Sequence, residues 1–230
     1  MHKILIKDRI AHRLCAASYG LARQAIEIEQ KHPWSGQEWG KESAENNRVQ
    51  EFTAAAIIMS VACVEGSINE LFADAGDHLS HAGNIYGSVT SLKVRRAWAK
   101  WWRENRGDWR ITTIVRAQMA LRLADKDELP KDHRSIQELR VLHKLRNALV
   151  HSYPEYRPLA RTTPKNSLDQ LENELTNRFD HCSMVHPKSP FIWKGCLGAG
   201  CARWAVQTTT DFENDFYHAL GFNRTAVVKL

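Results

Sequence analysis

The sequence predicts an all-α protein, a bundle of long antiparallel helices with additional helices toward its C-terminal end. Apolar residues recur at spacings of three and four along most of the 230 residues, the period of an amphipathic helix. Almost no stretch alternates apolar and polar residues as a half-buried strand would. Gly, Pro and polar clusters separate the periodic stretches at moderate intervals, which favours helices packed on one another. One domain is expected, with its core over about residues 1–155 and an extension over about 156–230 packed on it.

The first helix is predicted over residues 3–31, where Ile6, Ile10, Leu14, Ala17, Leu21, Ala25 and Ile28 form one stripe. His32-Pro33-Trp34-Ser35-Gly36 breaks it, and residues 36–46 read as a polar loop from which Trp34 and Trp39 fold back onto the domain. Residues 47–79 form the second helix. Ala54, Ile57, Ile58, Val61, Ala62, Ile68, Leu71 and Phe72 give it a wide apolar face, which implies deep burial. Glu65 interrupts the stripe of Val61, Ile68 and Phe72. A carboxylate placed there needs a partner, unless it stands at the edge of the stripe and reaches solvent.

A loop follows over residues 80–91, marked by Gly83, Asn84, Gly87 and Ser88. Residues 92–106, LKVRRAWAKWWRENR, are a basic helix with Trp98, Trp101 and Trp102 on one face. That face serves core packing or, alternatively, base stacking. From Lys93 to Arg122 nine Lys/Arg stand against Glu104 and Asp108, a local cationic excess. Arg95, Arg96, Lys100 and Arg103 are its candidates for contacting RNA; the alternative is a solvated face. Gly107 breaks the helix, another runs over roughly 111–124, and Asp125 to Lys131 is a polar turn.

The stretch SIQELRVLHKLRNALVHSYPEY, Ser135 to Tyr156, organises the rest. Ser135 followed by Glu138 predicts a capping-box start, and Pro154 ends the helix near Ser152. Leu139, Leu142, Leu145 and Leu149 fall on one arc, with Arg140, His143, Lys144, Asn147 and His151 on the other side. Arg146 projects inside the apolar arc, where an unpaired guanidinium costs several kcal/mol or more. Arg146 and Glu65 are therefore expected to pair or to share a hydrogen-bonded cluster. Pro154, Pro158 and Pro164 then make a stiff connector. Ser167–Phe179 is a short amphipathic helix, residues 180–190 a loop, and residues 191–220 a last long helix that Gly221 stops.

The composition is globular, with 43% hydrophobic and 25% charged residues, and the net charge of +6 is compatible with a polyanionic partner. No apolar run near 18 residues is evident and the N-terminus lacks a signal-peptide core, so no membrane span and a cytoplasmic location are expected. Cys15, Cys63, Cys182, Cys196 and Cys201 are odd in number and widely spaced, which argues for free thiols. A zinc site drawn from His181, Cys182, His186, Cys196 and Cys201 matches no common zinc spacing, and no metal or other cofactor is expected. There is no P-loop, GxGxxG, GxSxG or HExxH.

Arg146-Asn147-Ala148-Leu149-Val150-His151, late on a long helix, resembles the Arg-x4–6-His signature of the HEPN superfamily, and Ala62 to Asp74 looks like the second helix of HEPN-like proteins. The resemblance implies an all-α domain with metal-independent RNase activity, serving as a toxin or phage-defence effector. It implies a homodimer whose motif helices face each other, so that two copies of Arg146, Asn147 and His151 line one groove. Tyr153 extends the text to Arg-x4-His-x-Tyr, similar to toxins whose antitoxin partner adenylylates that Tyr; its alternative is a ring that caps the core beside Pro154.

Under this reading the ribose 2′-OH attacks the adjacent phosphorus and leaves a 2′,3′-cyclic phosphate and a 5′-OH. An imidazole, with a reference pKa of about 6.5, suits His151 to proton transfer. The planar cation of Arg146 suits the phosphate. Asn147, four residues before His151, either orients it or donates to phosphate. Arg140 and Lys144 are further RNA contacts, with Glu65 and Tyr153 supporting. Five residues rotate by about 140°, so Arg146 and His151 do not share a stripe of one ideal helix, which is where facing helices become necessary. Two alternatives come from other classes: a non-catalytic HEPN-like scaffold that binds nucleotide or protein, and a helical DNA-binding regulator.

Overall fold

The computed structural model describes residues 10–34, 36, 43–76, 90–151, 167–186, 189 and 191–222. These residues are all-α, without a strand among them: α1 (Ala11–Lys31), α2 (Ala44–Gly76), α3 (Leu92–Asn105), α4 (Thr113–Leu123), α5 (Arg134–Val150), α6 (Ser167–Leu175), a π-helical turn (Phe191–Gly195) and α7 (Ala199–Ala219). Ile6, Trp39, Tyr153, Pro154, Pro158, Pro164 and most of the expected loops over 36–46 and 80–91 lie outside the described residues.

The second helix is the axis of the fold. It packs against α1, α3, α4, α5 and α7, which accounts for apolar residues all round it rather than on one stripe. Its length and mean hydropathy of 1.5 over 18 residues would also suit a membrane span, a property the sequence reading missed. Val61, Val64, Ile68, Leu71 and Phe72 join Trp98, Leu121, Leu139, Leu142, Leu145, Phe212 and Phe216 in the main core. Each such side chain contributes about 1.5–3 kcal/mol by leaving water. Trp98 is fully buried and its indole N–H donates to the Ala120 carbonyl at 2.9 Å. Trp101 and Trp102 stack around Phe72. The tryptophan face of α3 is therefore core, not a stacking platform.

The first two helices approach closely. A Cβ on Gly66 would stand 3.1 Å from that of Ala11, so small residues make the seam. Ala11, Ser18, Ala22, Ala25 and Glu29 are buried, whereas Ala17 and Ile10 of the expected stripe are exposed. The same approach corrects the expectation of free thiols for two cysteines. One turn along from the Ala11–Gly66 contact, Cys15 and Cys63 form a disulfide with Cα atoms 5.1 Å apart. Cys182, Cys196 and Cys201 are free and buried; burial pushes the Cys182 and Cys196 thiols up to about 12 and Cys201 well above the usual range.

Two helix starts are closed by distant carboxylates. The Ala11 amide donates to Glu70 at 3.0 Å. The Ala199 amide donates to Glu29 at 2.5 Å, and Glu29 also accepts from the Ser183 amide at 2.7 Å. Both place negative charge where orphan N–H groups and the helix dipole favour it. The break before α7 corrects the expected single helix over 191–220. Gly198 lies so close to Cys182 that a Cβ there would fall 2.6 Å from the Cys182 Cβ, and its extended backbone starts a new helix. Gly221, at φ +89°, ends α7 as expected.

Candidate functional site

The motif helix starts two residues earlier than a capping box at Ser135 would place it, and no capping box forms. His133 is the N-cap without a side-chain cap, and Ser135 Oγ instead bonds His133 Nδ1 at 3.0 Å. Glu138 faces α7 and the turn after α6, where it accepts from the Trp204 indole at 2.7 Å and pairs with Arg178. A carboxylate offered a guanidinium and an indole N–H has no reason to turn back to its own helix start.

The helix ends at Val150, and His151 is its C-cap, donating its amide to the Asn147 carbonyl at 2.9 Å. Asn147 and His151 are both exposed, one turn apart. Arg146 turns the other way, toward α2, and its Nη2 donates to Glu65 Oε1 at 2.6 Å. The expected pairing is present. Glu65 nevertheless stands at the edge of the core, its side chain 38% exposed against 24% for Arg146. The pair takes one of the five guanidinium donors of Arg146, and Arg146 Nε is buried without a hydrogen bond.

His143, one turn before Asn147, was counted on the polar side by its periodicity. The structure instead leaves it half-buried, since α2, α6 and α7 all pack on α5. Its Nε2 is buried without a hydrogen bond. Burial, and then the Arg146 cation, push its pKa down to about 4. The guanidinium thus pairs with a carboxylate on α2, and its charge adds to burial in disfavouring the protonated form of His143.

The remaining expected RNA contacts divide in two. On α5, Lys144 pairs with Glu174 at 2.6 Å and Arg140 donates to the Lys131 carbonyl at 3.3 Å. On α3, Arg96, Lys100 and Arg103 are exposed, while Arg95 is half-buried with Nε unbonded. Trp109, in the α3–α4 turn, is 88% exposed. The sequence reading passed over it because it belongs to no periodic stripe. Tyr153 lies outside the described residues.

No protein-family model, curated protein or solved structure matches the chain.

Among the described residues, the cysteines that group with a further metal-ligating side chain are Cys15 and Cys63, together with Glu213. Their sulfurs are bonded to each other. His181 lies against Gly195, and its Nδ1–H donates to the Cys182 carbonyl at 3.1 Å.

Proposed function

We propose that the protein is an endoribonuclease of the HEPN type that cleaves RNA by 2′-OH attack and acts in the cytoplasm as a toxin or phage-defence effector. The observation that carries this reading is the end of α5: Asn147 and His151 stand exposed one turn apart, and Arg146, next in sequence to Asn147, is anchored on α2 by Glu65. His151 moves the protons of the reaction, Asn147 orients it or binds phosphate, and Arg146 offers its remaining donors to the phosphorane oxygens. Nothing in this route calls for a metal ion. The working unit is a homodimer with facing motif helices, and an antitoxin protein acting on Tyr153 is a further partner.

A second reading has one observation in its favour. Arg146 is already paired and half-buried, as an arginine that merely holds α2 to α5 would be, and a non-catalytic nucleotide- or protein-binding scaffold would need no more.

The experiment is RNA cleavage by purified protein in EDTA, with His151→Ala and Arg146→Ala alongside. Cleavage by wild type that leaves cyclic-phosphate ends and is lost in both variants supports the nuclease. Cleavage that survives both substitutions refutes this site. Absence of cleavage in all three, with the Tyr153 phenol shown unmodified by mass spectrometry and no antitoxin co-purifying, favours the scaffold.

A further inference from the structure

An indole 88% exposed on a turn closed by its own hydrogen bonds is an anomaly. The turn that carries Trp109 is built to hold it there. The Ile111 amide donates to the Asp108 carbonyl at 3.3 Å, and the Arg110 amide donates to Asp108 Oδ1 at 3.0 Å. The Arg110 side chain binds both oxygens of the same carboxylate, at 2.9 and 3.0 Å. Arg116 ties the turn to the core: its Nη2 donates to the Asp108 carbonyl at 3.4 Å and its Nη1 to Asn69 on α2 at 2.6 Å. Trp109 is the next residue along, left exposed by the turn among the described residues.

The surroundings are cationic. Arg96, Lys100 and Arg103 follow one another at spacings of four and three along one exposed edge of α3, and Arg106 continues the row toward the turn. None of these four forms an ion pair among the described residues. The turn and the motif helix are anchored on neighbouring turns of α2. Asn69, which anchors Arg116, is one turn beyond Glu65, which anchors Arg146, a separation of about 6 Å along α2.

We propose that this corner binds single-stranded RNA, with the Trp109 indole stacked on an unpaired base and the Arg96–Arg106 edge of α3 holding the flanking phosphates. The choice of polyanion rests on the ribonuclease reading. A single aromatic platform beside a row of cations is the arrangement that single-strand binding uses. An anionic membrane surface would instead want a broad apolar face, and Arg106-Gly107-Asp108-Trp109-Arg110 offers one indole among charges.

The test is fluorescence anisotropy of a labelled RNA of about 12 nucleotides, within the span of single-strand sites. The protein is full-length and carries His151→Ala so that the probe survives. Trp109→Ala is expected to weaken binding roughly 5- to 150-fold, the range for loss of one base–aromatic stack, while Trp109→Phe keeps most of the affinity. Arg103→Ala and Arg106→Ala each lower the slope of log affinity against log salt by about 0.7. Equal affinity for a duplex of the same sequence overturns the site, because a duplex presents no unstacked base. So does equal binding by the Trp109 variants, or no binding at all. Trp109-dependent binding to phosphatidylserine vesicles without binding to RNA reassigns the surface to membrane. Cleavage of the same RNA by protein with His151 intact reports separately on the nuclease, so the two readings fail independently.

Discussion

Lowering the pH should loosen the motif helix through one side chain. His143 is half-buried with its Nε2 enclosed and unbonded, and burial together with Arg146 holds its pKa down to about 4. In the unfolded chain a histidine titrates at about 6.5. A group whose folded pKa is depressed contributes full stability above its unfolded pKa and loses it as pH falls toward the folded value. The loss therefore begins near pH 6.5 and reaches about 3 kcal/mol by pH 4, a large fraction of the stability of an ordinary domain. The carboxylates and the other histidines titrate over the same range, so the measurement is a difference. Urea unfolding between pH 7 and pH 4, wild type against His143→Gln, should show the wild type losing about 3 kcal/mol more than the variant. Equal pH slopes would mean that His143 is solvated or hydrogen-bonded in solution. The account of a neutral imidazole beside Arg146 would then be wrong.

Glu65→Ala leaves the half-buried Arg146 without its partner, and should cost about 2 kcal/mol, between the values for exposed and buried pairs; a melting temperature unchanged within a degree or so would contradict this. Glu29→Ala removes the acceptor for the Ser183 and Ala199 amides and should destabilise by about 1–3 kcal/mol in chemical unfolding, whereas an unaffected midpoint would show that water replaces it. Reduction of the Cys15–Cys63 disulfide, which closes a separation of 48 residues, should lower stability by up to about 4 kcal/mol. Thiol titration of the unfolded protein, giving three free cysteines before reduction and five after, checks that the bond is present.

Much of the architecture follows from periodicity. Among the described residues the helices expected from a spacing of three and four are present, except that the one expected over 191–220 is broken at Gly198, and the two charges on apolar stripes, Glu65 and Arg146, found each other because burial leaves a lone ion few choices. What periodicity could not carry is the identity of distant partners. Glu138 looked like half of a capping box because Ser135 is near in sequence, yet Arg178 and Trp204 are nearer in space. Glu29 and Glu70 give no signal in the periodicity, because the amides they accept from, those of Ala199 and Ala11, are far away in sequence. His143 lay on the polar side of an isolated helix, but α5 is covered by three neighbours rather than one. The Cys15–Cys63 bond depends on the crossing at Ala11 and Gly66, which no spacing encodes.

The opposed directions of Arg146 and His151 make the facing-helix arrangement testable. Arg146 turns toward α2 and His151 stands exposed at the helix end, so the proposal assigns them to one phosphate by taking each from a different protomer. In that case Arg146→Ala and His151→Ala proteins, each inactive alone, should restore cleavage when mixed and allowed to exchange subunits. Half of the dimers would be mixed and half of their sites intact, giving roughly a quarter of the wild-type rate. If one protomer supplied both groups, every site in the mixed dimer would lack one of them and the mixture would stay inactive. A dead mixture, with subunit exchange confirmed by native mass spectrometry and the wild type active, would therefore confine the chemistry to single protomers. Arg146 would then have to leave Glu65, or act on the phosphate through the donors that the pair leaves open.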